Sequence, residues 1–286
     1  MFLPIPMAKK STHKVFQGYK NMIDDNLQTA ATRFDVEAIH EVRLGIKRLK
    51  AHLQFISALR PERFNFQNDF LVFRRLFKSA AVLRDLQVQQ QLARRYAKDL
   101  SLNIAAYQKH LKERELRTRE TFVDGMVQYR EASLKGLLKK VKENTLFTKT
   151  ELAHKGQKLI LKKLQRVKKL LSGIEYPAQL HEVRTELKEI HYIVDFLKFC
   201  RIDMPDQYTN KRIKKLEGKL GNWHDRVVLL QFIENFVSSN FSEGKVPAPY
   251  TILLEQVRLE LRQLETKVRE PLYKLLKRSK KELAFY

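Results

Sequence analysis

A chain of 286 residues that is 43% hydrophobic carries enough apolar side chain for a real core, so its 31% charged content does not signify disorder. Lys and Arg outnumber Asp and Glu by 56 to 32, and a formal net charge of +24 calls for an anionic partner: nucleic acid, an acidic membrane surface or a phosphate polymer. The single cysteine, Cys200, excludes an internal disulfide and a Cys-rich zinc site, and its apolar surroundings (Phe196-Leu197-Lys198-Phe199) predict a buried structural thiol.

Met1 to Lys10 is broken by Pro4 and Pro6 and lacks the apolar core of a signal peptide. No stretch reaches the roughly 18 uninterrupted apolar residues that a membrane span needs, so the expectation is a soluble, cytoplasmic protein. From there the chain reads with helical period. Ser11 is placed to cap a helix running towards Arg33, and Asp35 to cap a second that ends near Leu59, before Pro61. A third helix covers about Gln67 to Val82 and a fourth follows Asp85. Ser101 to Asn144 reads as one or two long charged helices, and Thr145 to Thr150 breaks the pattern at mid-chain.

After the break the order recurs. Leu152 to Leu171 is helical, Gly173 and Pro177 make a turn, and a helix spans about Gln179 to Phe199, ending before Pro205. Next come a Lys-rich helix near Asn210 to Leu220, a Gly221-Asn222-Trp223 junction and a helix from Asp225. A loop from Ser238 to Pro249 precedes a final helix that continues past Pro271. The recurrence is registered: His40-Glu41-Val42-Arg43 and Lys47 match His181-Glu182-Val183-Arg184 and Lys188 at an offset of 141, and Asp85 matches Asp225 at an offset of 140. Two registered matches in one order predict an internal duplication, with residues 1–144 as one unit and 145–286 as the other.

On a wheel of about 100° per residue, Ile39, Val42, Ile46, Leu49, Leu53 and Ile56 form one stripe between roughly 160° and 260° from His40. His40, Arg43, Lys47 and Lys50 line the border of that stripe. The second copy repeats this, with Leu180, Val183, Leu187, Ile190, Val194 and Leu197 as the stripe and His181, Arg184, Lys188 and His191 on its edge. Cations with no task can sit anywhere on a solvated face. Four in each copy on the same core edge, along about 15 Å of helix, match an extended anion with several charges. Glu41 and Glu182 fall on the opposite border. The histidines sit among cations, which predicts lowered pKa values and neutral rings.

The next helices add Arg74, Arg75 and Lys78 in the first copy and Lys214, Lys215 and Lys219 in the second. Asp85 and Asp225 read as helix N-caps, and Arg84 as a cation that either reaches the site or pairs locally.

The run from His40 to Lys50, followed by Leu83-Arg84-Asp85-Leu86-Gln87-Val88, resembles the signature of CHAD domains, the conserved histidine α-helical domains. The second copy, from His181 through Leu220-Gly221 to Asp225-Arg226-Val227-Val228, is similar to that domain's degenerate second half. The resemblance covers nearly the whole chain. It implies an all-α fold of two four-helix bundles of long antiparallel helices, related by pseudo-twofold symmetry, with a basic channel between them. It further implies binding of inorganic polyphosphate without catalysis, and an association with polyphosphate granules. By position, the family's histidines fall on His40 and His181 and its basic ligands on Arg43, Lys47, Arg48, Lys50, Arg184 and Lys188. The sequence departs from the pattern at Glu189, where the family has another basic residue. Both Glu189 and its counterpart Arg48 lie near 80° on the wheel, off the cationic edge, which weakens Arg48 as a ligand. His224 in place of a second arginine leaves the basic partner of Asp225 in doubt.

Other functions fit less well. The basic edges carry no aromatic residues of the kind that stack nucleic-acid bases, and no helix-turn-helix, RRM or KH signature appears. Phosphoryl transfer calls for carboxylate-held magnesium, whereas Glu41 and Glu182 point away from the cations. Glu113-Arg114-Glu115-Leu116-Arg117, the nearest match to the Glu-x-Glu-x-Lys strand of triphosphate tunnel enzymes, reads as a solvated helix face. The basic faces adjoin core stripes, unlike a membrane-surface helix. His40-Glu41 lacks the spacing of a His-Glu-x-x-His metal site, and no cofactor is expected.

Overall fold

The first sharp turn is made as its residues dictate. Asp35 accepts from the backbone N–H groups of Glu37 and Ala38 at 3.0 and 2.8 Å, satisfying donors that the helix start leaves open. It separates α1 (Ala8–Arg33) from α2 (Val36–Leu59) and forces the two antiparallel. The computed structural model describes residues 8–131, 134–145, 147–172, 176–202 and 210–283. The expected turn at Gly173 and the stop at Pro205 lie outside them.

After a short α3 (Phe66–Asp69) come α4 (Leu71–Asp99), α5 (Ala105–Glu131) and α6 (Lys135–Asn144). Thr148 caps α7 (Lys149–Leu171) through the N–H of Glu151, and α8 (Tyr176–Phe199), α9 (Asn210–Asn240) and α10 (Ala248–Leu283) complete the chain. The described residues form helices and connections without strands, so the fold is all-α.

The pairing order is the same in both halves. α1 packs on α2, α2 on α4 and α4 on α5; α7 packs on α8, α8 on α9 and α9 on α10. The halves meet where α2 lies against α8 and α4 against α9. Both predicted stripes are the packing faces: Ile39 to Ile56 on α2 and Leu180 to Leu197 on α8 are fully buried at every named position. Burying a side chain of this size contributes roughly 1.5–3 kcal/mol, so the two stripes anchor α2 and α8 in one continuous core. At their contact the His52 ring lies between Tyr19 and Phe196, centroids 5.3 and 4.8 Å away, and its Nε2 meets the Tyr192 carbonyl at 2.8 Å. Arg60 forks onto Glu151, joining the end of α2 to the start of α7. Cys200 is buried as expected, and burial pushes its thiol up to about 12.

Several readings of helix boundaries are corrected, beginning with Ser11, which is interior to α1 and caps nothing because that helix starts at Ala8. α4 runs unbroken through Val82–Asp85 and α9 through Gly221–Asp225, so Asp85 and Asp225 are interior residues and cap nothing. In α4 no Gly or Pro intervenes, and fully buried Ala80 and Leu83 hold the turn against the core. In α9 the weak formers Gly221 and Asn222 are flanked by buried Leu220 and Trp223, whose indole N–H donates to Glu265 at 3.1 Å. The loop expected from Ser238 is shorter, because α9 reaches Asn240 and α10 begins at Ala248 with Pro249 in its first turn. The stretch around Glu115 is helical, but it is not simply a solvated face. Glu115 is buried and accepts from Gln90 at 2.7 Å and Arg119 at 3.0 Å.

Candidate anion-binding site

α2 and α8 pack against each other through His52, Phe55, Tyr192 and Phe196, and the cationic edges of the two helices converge beside that contact. Arg43 and Lys47 of α2 and Arg184 and Lys188 of α8 act on one another electrostatically. All four are half-buried. Burial, followed by Arg43, Lys188 and Arg184, pushes the Lys47 ammonium down to about 6. Burial and then Arg184 push Lys188 down to about 8. Arg184 Nε is buried with no hydrogen-bond partner. Unsatisfied buried donors among like charges are unfavourable unless an anion completes them.

The flanking helices supply the offsetting carboxylates. Asp85 of α4 acts on Arg43 and Lys47, and its Oδ1 stands 3.9 Å from Arg43 Nη2. Asp225 of α9 acts on Arg184 and Lys188, as does Glu217. Glu217 is largely committed elsewhere: its Oε2 lies 2.5 Å from His191 Nδ1, while His191 Nε2 meets Asp195 at 3.1 Å.

The predicted residues therefore divide. Arg43, Lys47, Arg184 and Lys188 form the convergent cluster. Lys50 borders it over the rings of Phe70 and Phe77, 5.9 and 5.5 Å from their centroids, and Arg43 lies over the same Phe77 ring at 5.5 Å. His40 and His181 flank the row, each lowered by burial and then by a neighbouring arginine, Arg84 and Arg184 respectively. The His181 ring stands 4.9 Å from that of His224, which burial and Arg184 push down to about 3. A neutral His224 adds no charge beside Asp225.

His191 departs from the expectation of a neutral ring. Burial lowers it, but the hydrogen bonds to Asp195 and Glu217 outweigh burial and bring it up to about 9, so it is a cation already paired. Arg48 acts on Tyr19, His52 and Tyr192, and Arg184 and Arg43 reach the same Tyr192, so Arg48 adjoins the cluster across that ring. Its counterpart Glu189 ion-pairs with Lys163 of α7, which also holds Glu186 at 3.1 Å. The departure at Glu189 thus belongs to the outer α7–α8 contact. Arg75 pairs with Asp124 of α5 at 3.5 Å, and Arg74 donates to Gln67 at 3.0 Å. Lys219 donates to the Lys267 carbonyl of α10 at 3.2 Å, turned away from α8. Lys78, Lys214 and Lys215 are exposed, and Lys78 lies seven residues before Asp85, nearly on the same face of α4. Arg84 donates to the Val36 carbonyl at 3.1 Å and, with Gln87 on the Phe34 carbonyl at 3.0 Å, holds the α1–α2 turn, where Phe34 adopts a φ of 50°.

Sequence reasoning missed Phe77 and Glu217. They occupy equivalent positions at an offset of 140, eight residues before Asp85 and Asp225, so extending the registered match two turns upstream would have found both. Among the described residues one group could hold a metal by geometry: Glu37, His40 and Glu41 bring ligand atoms within 4.8 Å of one another on the first turns of α2.

Residues 21–234 match the family model described as the CHAD domain. The chain belongs to the CHAD domain family. Solved structures that share the fold include one from Ricinus communis and one from Streptomyces chartreusis. The CHAD domain from the plant Ricinus communis is 16% identical, with a TM-score of 0.64 over 93% of this chain and 91% of that one. PptA from Streptomyces chartreusis is 11% identical, with a TM-score of 0.67 over 94% of this chain and 99% of that one. No curated protein matches the chain. The CHAD match spans α2, α4, α8 and most of α9, the four helices that build the cluster.

Proposed function

We propose that this CHAD protein binds inorganic polyphosphate along the cationic row between α2 and α8, and that it does so without cleaving the chain. The observation that carries this reading is the convergence of Arg43, Lys47, Arg184 and Lys188 from two helices onto one half-buried strip, with both lysines pushed down by burial and by the neighbouring cations. An anion with regularly spaced charges would relieve all four at once. The family resemblance points to the same ligand.

The aromatic rings nearest the strip also favour phosphate over nucleic acid. Phe77 and Phe70 lie beneath Arg43 and Lys50, so the cations occupy ring faces that bases would need. A non-catalytic role fits the carboxylates, since Glu217 is held by His191 and Asp85 and Asp225 face the arginine–lysine pairs. No helix of the described residues is long and apolar enough to cross a membrane, and the proposed setting is the cytoplasm, in association with polyphosphate granules.

Competition tests the ligand. Long-chain polyphosphate should displace a bound oligonucleotide, and the oligonucleotide should not displace polyphosphate at equal charge. Shortening of polyphosphate by the purified protein with Mg²⁺ would overturn the non-catalytic reading.

A further inference from the structure

Asp85 and Asp225 are not explained by the fold. Both lie inside long helices, where aspartate is a weak helix former, and neither caps a helix end. Asp85 meets Arg43 only at 3.9 Å, beyond hydrogen-bond reach. Among the described residues Asp225 makes no ion pair within 4.0 Å. Burial raises both carboxyls, while Arg43 and Lys47 at Asp85 and Arg184 at Asp225 favour their ionised forms. Yet the pair recurs at an offset of 140, facing Arg43 and Lys47 from α4 and Arg184 and Lys188 from α9.

We propose that Asp85 and Asp225 are built-in counter-anions that compete with the ligand and so exclude small anions from the cationic row. The inference rests on the polyphosphate reading of the same site. A small anion engages one arginine–lysine pair and meets the facing carboxylate at close range. What it gains must then offset the translational freedom lost on binding. A polyphosphate chain loses that freedom once, however long it is, and collects both pairs in a single event. The carboxylates therefore hold small anions below useful affinity while the chain still binds.

The test is a calorimetric titration of triphosphate and of long-chain polyphosphate into the full chain. It uses wild type, Asp85→Asn/Asp225→Asn and the charge-conserving Asp85→Glu/Asp225→Glu, each confirmed as helical by circular dichroism. Triphosphate should bind the Asn variant at least about tenfold tighter than wild type, whereas the Glu variant should stay near wild type. Removing a remote carboxylate, by Glu143→Gln at an exposed position of α6, should change affinity less than about twofold, which separates local competition from net charge. Unchanged or weaker triphosphate binding by the Asn variant overturns the inference, because carboxylates that merely orient the arginines or support the helix would weaken binding when lost. An equal gain from Glu143→Gln overturns it too. If wild type fails to bind long-chain polyphosphate, the proposed function falls instead, and the triphosphate comparison still decides the role of the two aspartates.

Discussion

His191 Nδ1 stands 2.5 Å from Glu217 Oε2, at the positions where the first half of the chain sets Lys50 5.5 Å from the Phe77 ring centroid. The same two places, offset by 141 and 140 residues, thus hold a cation over a ring in one half and a closed ion pair in the other. The third cation of the row is therefore held by carboxylates on α8 and by ring faces on α2.

This asymmetry has a spectroscopic consequence. His191 should remain protonated through neutral pH, with a value of about 9, while His40 and His181 titrate below the ordinary histidine range. Glu217→Gln should bring His191 down, read from its ring-proton shifts by NMR. His191→Ala should weaken polyphosphate binding by less than about threefold, since a cation already paired has little left to offer. A larger loss would place His191 among the ligands.

Loss of both convergent arginines should be severe. Hydrogen bonds to charged groups contribute about 1.5–3 kcal/mol each, so Arg43→Ala with Arg184→Ala should weaken polyphosphate binding at least about a hundredfold, with helicity retained. Arg48→Ala should cost less than about threefold. Equal damage from Arg48→Ala would refute the assignment of the edge.

Binding should take up protons. Lys47 at about 6 is largely neutral in the empty protein at pH 7.5, and a polyanion beside it favours the charged form. Between its free and bound values affinity falls as pH rises. Calorimetry at pH 7.5 in buffers of different ionisation enthalpy should show net proton uptake, reduced in Lys47→Arg. Arg43, Arg184 and Lys188 face the same group, and Asp85 alone opposes them in this shift.

Acid should loosen the contact between the halves. Burial pushes His52 down to about 4, against an ordinary value of 6.5. The folded value is depressed, so its contribution to stability is fully present above pH 6.5 and is lost as pH falls towards 4. The loss is on the order of 3 kcal/mol. His52→Phe keeps the ring between Tyr19 and Phe196 and removes the titration, so the difference in melting temperature between pH 7 and pH 4.5 should shrink. An unchanged difference would assign the acid sensitivity elsewhere.

Much of the fold was legible because local signals agreed with packing. Asp35 caps, both apolar stripes are buried, and the cationic edge follows from the stripe by helix geometry alone. The errors arose where a local signal lost to the core. Asp85 looks like a cap, but Ala80 and Leu83 carry α4 past it. Gly221-Asn222 looks like a junction, but Trp223 anchors α9 through it. The site was legible in its cations and obscure in their partners. That Glu217 captures His191, or that Arg43 and Lys50 share Phe77, depends on how α4 and α9 dock, and neither helix's own periodicity encodes it.

The central claim is most directly tested by calorimetric titration of the wild-type chain with polyphosphates of graded length, beside single-stranded DNA of matched charge at the same ionic strength. Affinity should rise with chain length until both arginine–lysine pairs are spanned and then level off, with DNA binding far more weakly. Equal affinity for DNA, or no dependence on polyphosphate length, would contradict it.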